Sequence, residues 1–347
     1  MRRWLARIFL LLLAIVAAAG AAAWVIYSHT QEPYQGFAGL EVFVDIPPGA
    51  GSTGIGERLV AAGVVRDALT FRAAVWMSGR ARELKAGEYR FDHPLTAADV
   101  VSRIARGDVY KRLITFREGL TIAEMAQVFE EKGFGSAKEF EAAAQNFGLI
   151  HDLDNEARDL EGYLFPETYA LPRGTPASDL VAQMVENFKR AFDLPLRTAA
   201  EQLGLPVRQA VTLAALVEKE TASPDERPVV AAVYLNRLKN HMPMQADPTV
   251  VYAMMKAGNY RGNISKDDLQ IDSPYNTYRY PGLPPGPVAA PGRASLEAVA
   301  HPAAVDYLYF VSRNDGTHAF ATTLAEHNRN VYTWQVEYFR KKRRSQR

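Results

Sequence analysis

The sequence contains no cysteine among its 347 residues, and its charges almost cancel. Without cysteine the chain can form neither a disulfide framework nor a thiolate metal site. Its 40 lysines and arginines stand against 39 aspartates and glutamates, which leaves a formal net charge of +1. This balance gives no reason to expect a nucleic-acid surface or an acidic polymer as partner.

Three common catalytic motifs are also missing from the sequence. It has no glycine-rich phosphate loop, no H-E-x-x-H zinc pair and no G-x-S-x-G nucleophile elbow. His301, His318 and His327 are scattered through the C-terminal region, so we expect structural roles for them rather than metal ligation. Phosphate-loop chemistry, zinc-dependent hydrolysis and acyl transfer by serine therefore have no support.

The N-terminus predicts a membrane anchor over residues 1–28. Arg2, Arg3 and Arg7 precede an uncharged run from Ile8 to Tyr27. At about 1.5 Å per helical residue, this run crosses the roughly 30 Å core of a bilayer. A cleaved signal peptide is the alternative, but its apolar region is typically only about 7–15 residues long. The basic flank predicts a cytoplasmic N-terminus and a periplasmic remainder, hence a single-pass inner-membrane protein.

Beyond the anchor, alternating and helical patterns predict an α+β chain. Residues 40–110 read as strand, two helices, strand and helix, and residues 111–150 repeat the strand–helix–helix order. Such a small unit resembles the LysM fold, which binds glycan, although an ordinary packing domain would give the same pattern. Residues 155–340 then form the largest predicted domain.

The stretch from Val207 to Thr221, VRQAVTLAALVEKET, predicts a buried helix that ends in carboxylates. An apolar stripe runs along its helical spacing and, one turn further, reaches Glu220. Glu218 lies about 200° around the axis, so the two carboxylates cannot enter one cleft. Burial raises the pKa of a carboxyl, which makes Glu220 a candidate general acid. The alternative is a solvated helix end.

Two segments predict a groove for sugars, because aromatic faces stack on sugar rings while amides and hydroxyls bind ring substituents. The first, MQADPTVVY, offers Gln245, Asp247 and Thr249; the second, SPYNTYRY, offers Tyr275, Asn276, Thr277 and Tyr278. An ordinary glycosidase needs a second carboxylate. Asp225, Glu226 and Asp247 are the candidates for that role, and their spacing favours none of them.

Seven segments in order closely resemble the MltG (YceG-like) family, the membrane-anchored endolytic murein transglycosylases of bacteria. They are ALVEKET, VVAAVYLNRL, MQADPTVVYAM, SPYNTYRYPGLPPGPVAAPG, HPA, YLYFV and HNRNV. EGYLFPETY, from Glu161 to Tyr169, also looks like the family's entry into its catalytic domain. The resemblance covers nearly the whole chain.

The resemblance implies a lysozyme-like catalytic domain with one essential glutamate on a helix. Related transglycosylases carry a Glu-Ser pair there, and Glu220-Thr221 is the similar pair. It further implies cleavage of the MurNAc-GlcNAc bond within peptidoglycan to give 1,6-anhydro ends, termination of glycan elongation, association with peptidoglycan synthases, and no cofactor or metal. Two alternatives remain open: a non-catalytic glycan-binding protein of the envelope, and a conventional muramidase.

Overall fold

The structure is a computed structural model and describes residues 2–345. The chain divides into two compact units. Unit 1 comprises residues 2–113 with Ala170–Arg173, and unit 2 comprises Ile114–Tyr169 with residues 174–345. The predicted α+β class is confirmed, since helices and short antiparallel strand pairs occur together.

Unit 1 begins with a long helix and continues as a small sheet covered by helices. Its elements are α1 (Arg2–Gln31), β1 (Val42–Ile46), α2 (Ser52–Ala61), α3 (Ala68–Ser78), β2 (Gly87–Phe91) and α4 (Ala97–Arg106). Within α1, residues Arg7–Gln31 are long and apolar enough to cross a membrane, with a mean hydropathy of 2.6 over 18 consecutive residues. The predicted apolar N-terminal helix is therefore present.

The core of unit 1 lies between the sheet and α2, α3 and α4. β1 and β2 pair antiparallel, with Val42 opposite Phe91 and Ile46 opposite Gly87. Tyr89 and Phe91 are fully buried on this sheet and belong to one cluster with Phe71 of α3. Thr96 and Gly107 bound α4: the threonine side chain accepts the Asp99 N–H, and the glycine takes the left-handed conformation.

Two further strands, β3 (Lys111–Thr115) and β4 (Thr168–Pro172), form a second two-stranded sheet. Between them come α5 (Ile122–Glu131) and α6 (Ala137–Ala144). Both helices begin with complete capping boxes, built by Thr121 with Glu124 and by Ser136 with Glu139. The predicted strand–helix–helix order of this segment is present.

The rest of unit 2 is mainly helical. Its elements are α7 (Ala177–Ala191), α8 (Leu194–Gln202), α9 (Val207–Glu220), α10 (Arg227–Lys239), α11 (Asp247–Lys256), α12 (Arg293–Ala300), β5 (Tyr309–Ser312), β6 (His318–Ala321), α13 (Leu324–Val331) and α14 (Tyr338–Ser345). A π-helical segment, Tyr332–Glu337, joins the last two helices. β5 and β6 form an antiparallel hairpin around Asn314, with Tyr309 opposite Ala321.

The helix α9 is the centre of unit 2. Every residue from Ala210 to Val217 is buried, and α8, α10, α11 and α12 all pack against it. A helix that is apolar on all sides requires such a complete cover of neighbours. The C-terminal end of α9 is thereby held in a fixed position, and this end carries Glu218 and Glu220.

Candidate active site

The C-terminal end of α9 opens into a cavity of about 350 Å³ within unit 2. The helices α9, α10, α11 and α13, the strand β5 and the loop after α11 all contribute to its wall. The lining residues are Glu220, Tyr234, Arg237, Met244, Gln245, Asp247, Tyr278, Tyr309, Phe310, Leu324 and His327. Glu220 is the last residue of α9, so the central helix carries a carboxyl directly into the cavity.

Glu220 is held by a tyrosine from the neighbouring helix. The Tyr234 hydroxyl donates a hydrogen bond of 2.8 Å to Glu220 Oε1. Burial raises the pKa of Glu220 to about 7, and nearby Asp247 adds to the rise while the Tyr234 bond opposes it. Near neutral pH a substantial fraction of Glu220 therefore carries a proton, which a general acid requires.

Glu218 has an entirely different set of partners. Arg227 Nη2 donates to its Oε1 at 3.2 Å, while the Gly292 N–H and the Ser295 hydroxyl donate to its Oε2 at 2.9 and 2.7 Å. The two glutamates thus diverge as the helical spacing predicts. Glu218 is nevertheless not on a solvated face, since its side chain is only 6% exposed. It binds α9 to α10 and α12.

Three of the predicted groove residues lie at the cavity: Gln245, Asp247 and Tyr278. Gln245 precedes α11 with a left-handed φ of 51°, and its Oε1 accepts a 2.7 Å hydrogen bond from Arg237 Nη2. The Tyr278 hydroxyl donates to Asp247 Oδ1 at 2.5 Å. Asp247 is exposed. Of the three candidates for a second carboxylate, it is the one that lines this cavity with Glu220.

The structure does not bring the other four predicted groove residues to this cavity. Thr249 and Thr277 are buried behind it, with hydroxyl oxygens 2.9 Å apart, and Thr277 Oγ1 accepts the Ala246 N–H. Asn276 is fully buried and donates to the Leu269 and Ile271 carbonyls. These three side chains stabilise the loop that carries Tyr278. Tyr275 lines a different cavity, of about 830 Å³.

Sequence reasoning missed several residues of the cavity wall. Tyr234 and Arg237 stand three residues apart on α10. Two side chains with polar ends at that spacing lie on one face of the helix, and in an apolar helix this pattern could have indicated a site. Tyr309 and His327 come from β5 and α13, and their rings stack with centroids 5.2 Å apart. Their distance along the chain from Glu220 left no local pattern to find.

The described part of the chain has no cluster of three or more histidine, aspartate or glutamate side chains that could hold a metal ion. Of the three C-terminal histidines, His318 lies 2.7 Å from Glu226 through its Nδ1. His327 lies in the cavity wall, where burial and the Arg237 charge lower its pKa. The side chains at the cavity therefore offer acid–base chemistry.

Fold and site together define the class: an α+β protein whose helical unit presents one partly buried carboxylic acid in an open cleft lined by tyrosines. Within that class, the chain belongs to the YceG-like family, whose model matches residues 44–333.

Similar proteins come from Bacillus subtilis and Streptococcus pneumoniae. The chain is 32% identical over 314 residues to the endolytic murein transglycosylase of Bacillus subtilis, with 86% of each protein covered. It is 30% identical to the endolytic murein transglycosylase of Streptococcus pneumoniae, with 93% of this chain and 64% of that protein covered.

One solved structure resembles the chain over most of its length. It is the crystal structure of a putative YceG-like protein from Listeria monocytogenes, which is 28% identical. The match has a TM-score of 0.58 and covers 84% of this chain and 98% of that one.

Proposed function

We propose that this chain is an endolytic murein transglycosylase. It cleaves the β-1,4 bond between N-acetylmuramic acid and N-acetylglucosamine within peptidoglycan strands and leaves 1,6-anhydro ends. The observation that carries the proposal is Glu220, whose pKa of about 7 fits a general acid near neutral pH. The names of the relatives from Bacillus subtilis and Streptococcus pneumoniae support the same reaction.

The reaction needs one carboxyl in two successive roles. Protonated Glu220 donates its proton to the glycosidic oxygen as the bond from that oxygen to C1 breaks. The Glu220 carboxylate then accepts the proton of the muramyl 6-hydroxyl, whose oxygen forms the new bond to C1. Both reacting groups of the second step belong to one sugar, so proximity replaces a bound water. Tyr234 orients the carboxyl throughout by its 2.8 Å hydrogen bond.

A conventional muramidase is the second candidate, because Asp247 lines the same cavity. An ionised aspartate at that place would supply the second carboxylate of a hydrolase, either as a base for water or as a nucleophile. Asp247, held by its hydrogen bond from Tyr278, could equally stabilise positive charge on the sugar ring in a transglycosylase. The two reactions differ in their products.

The proposal extends to the other parts of the chain. Residues 1–28 anchor it in the inner membrane with the N-terminus in the cytoplasm, which the apolar stretch of α1 supports. Residues 40–110 form a LysM-like domain. The β1-α2-α3-β2 order and the antiparallel pairing of β1 with β2 support this assignment. Residues 111–150 form a second β-α-α unit.

Residues 155–340 form the lysozyme-like catalytic domain, with its glutamate at the end of a buried helix. In this arrangement the enzyme acts in the periplasm on nascent strands and ends their elongation, beside the peptidoglycan synthases. Its partners are glycan strands and the membrane, not nucleic acid.

The test is the loss of cleavage in Glu220→Gln, measured as release of soluble fragments from glycan strands by the full chain in detergent. An amide keeps the side-chain volume and removes the proton, so we expect a loss of at least about 10²-fold. Glu161→Gln is the matched control, because Glu161 is also a buried acid, with a pKa raised by burial to about 8. It does not line the Glu220 cavity. Retained cleavage in Glu220→Gln would remove the proposal.

A further inference from the structure

The Arg237 guanidinium is a buried positive charge without a negative partner. The residue is only 8% exposed, and it forms no ion pair with any carboxylate in residues 2–345. Its buried Nε also lacks a hydrogen-bond partner there. Two other arginines of unit 2 show the usual arrangement: Arg227 pairs with Glu218 at 3.2 Å, and Arg208 pairs with Asp154 at 3.0 Å.

The contacts that Arg237 does make are all to neutral groups. Nη2 donates to the Gln245 amide oxygen, and the guanidinium carbon lies 5.7 Å from the centre of the Tyr309 ring. Asp247, on the same cavity, accepts the Tyr278 hydroxyl instead. A buried charge without a counter-charge costs several kcal/mol, and for this reason such charges are usually paired.

The position of Arg237 also bears on the proposed chemistry. The transition state of glycosyl transfer carries positive charge on the sugar ring, and a bare guanidinium in the same cavity would repel that charge. Asp247, on the same cavity, can offset part of this repulsion, but it accepts the Tyr278 hydroxyl and forms no ion pair with Arg237. An anion on the substrate would give Arg237 a counter-charge of its own.

We propose that Arg237 binds a carboxylate carried by the muramyl residue of the substrate; this inference rests on the proposed function. Hydroxyl and acetamide groups of the sugars are neutral, whereas the 3-O-lactyl substituent of muramic acid ends in a carboxyl group. On peptide-free strands that carboxylate is itself available, and on peptide-bearing strands the attached peptide supplies carboxylates. A planar guanidinium fits a carboxylate with two parallel hydrogen bonds. Arg237 thereby selects muramyl glycans over uncharged glycans.

The experiment compares kcat and KM on four substrates with the full chain in detergent. The substrates are peptide-free strands, peptide-bearing strands, and each of these with its carboxylates converted to methylamides. For the wild type we expect amidation to lower kcat/KM by about 10- to 100-fold, the value of a charged hydrogen-bonded pair. A loss on peptide-free strands identifies the lactyl carboxylate, and a loss confined to peptide-bearing strands identifies a peptide carboxylate.

Variants then connect this loss to Arg237. Arg237→Gln should lose the same factor on the sensitive carboxylate substrate and almost nothing on its amidated form, while Arg237→Lys should keep part of the preference. Arg293→Gln is the control, since Arg293 is a half-exposed surface arginine paired with Glu297. Equal losses for Arg237→Gln on all substrates would overturn the inference. An unchanged kcat/KM of the wild type after amidation of both strand types would overturn it too. This comparison uses only the wild type, so it does not depend on whether a variant folds.

Binding separates this inference from the proposed reaction. In the Glu220→Gln background, calorimetry of the same strands measures affinity without turnover. Carboxylate-dependent binding that Arg237→Gln abolishes supports the inference even if the products of the wild type show a different reaction. Affinity that is independent of the carboxylates contradicts it even if the reaction is right.

Discussion

The hydrogen bond from Tyr234 to Glu220 predicts a specific change in the pH dependence of the enzyme. Tyr234→Phe removes the hydroxyl that donates to Glu220 Oε1 at 2.8 Å and keeps the buried ring against Phe310. That hydrogen bond favours the carboxylate and so lowers the pKa of Glu220, against the larger effect of burial. Without it the pKa of Glu220 must rise above about 7.

The size of the change follows from the strength of a hydrogen bond to a charged group. Such a bond contributes about 1.5–3 kcal/mol, and one pH unit corresponds to about 1.4 kcal/mol. Since the cavity is open and water can replace part of the lost bond, we take the lower end. The alkaline limb of the kcat/KM profile should therefore move up by about one pH unit.

The role of Glu220 as a general acid determines which limb of the pH profile moves. A general acid is active while protonated, so kcat/KM falls as the pH rises through its pKa in the free enzyme. The assay is the release of soluble fragments from glycan strands between about pH 5 and 9, with the pH limit read from kcat/KM.

The control is Tyr163→Phe. Tyr163 is also buried, and its hydroxyl donates a 2.5 Å hydrogen bond to the Asp154 carboxylate. The variant should cost stability and leave the limb in place. An alkaline limb that stays or moves to lower pH in Tyr234→Phe would refute the assignment of Glu220 as the acid.

Three further predictions follow from side-chain hydrogen bonds of unit 2. Glu218→Gln should keep cleavage but lower Tm by several degrees, about 2–4 °C per kcal/mol, because Arg227 loses the shorter of its two ion pairs. Tyr278→Phe should lower kcat/KM about tenfold with little change in Tm. Asn276→Ala should mainly lower Tm, because the Leu269 and Ile271 carbonyls lose their hydrogen-bond donor. Glu161→Gln should be more stable than the wild type at pH 8 and similar to it at pH 4. The pKa of Glu161 in the folded wild type is raised to about 8, so the wild type is as stable as the variant below about pH 4.5 and loses stability relative to it as the pH rises through 8. Thermal unfolding at several pH values checks the first and third predictions. A nearly inactive Glu218→Gln would contradict the first, and a Tm loss confined to Tyr278→Phe would contradict the second. A stability difference for Glu161→Gln that does not change with pH would contradict the third.

The helical spacing of α9 was enough to separate Glu218 from Glu220, because the angle between two residues of a helix is a local property. It could not show that Glu218 is buried, since the partners that bury it, Arg227, Gly292 and Ser295, come from other elements. A charged run at a helix end therefore concealed one cavity-facing acid and one structural ion pair.

The loop residues show a second limit of sequence reasoning. Polar side chains in SPYNTYRY predict a sugar groove, yet Asn276 and Thr277 form hydrogen bonds with the chain itself. An ordered loop without regular structure must satisfy its buried backbone groups with side chains. Sequence alone cannot tell a polar residue that does this from one that lines a cavity, such as Tyr278.

His327 had no local signal, and the spacing of Arg237 from Tyr234 on α10 did not reveal its role. The positive charge of Arg237 becomes informative only once the fold shows that no carboxylate in the described residues pairs with it. Likewise, the placement of Asp247 beside Glu220 depends on how α11 packs against α9. Such contacts between distant segments are set by tertiary packing.

The mass of the new muramyl ends tests the central claim most directly. Purified glycan strands are digested with the full chain in detergent, and the ends are weighed by mass spectrometry. We predict 1,6-anhydro ends at positions internal to the original strands, and no cleavage of strands whose muramyl 6-position is deoxygenated. Reducing ends, about 18 mass units heavier because water was added, would contradict the transglycosylase and assign Asp247 the role of second carboxylate in a muramidase.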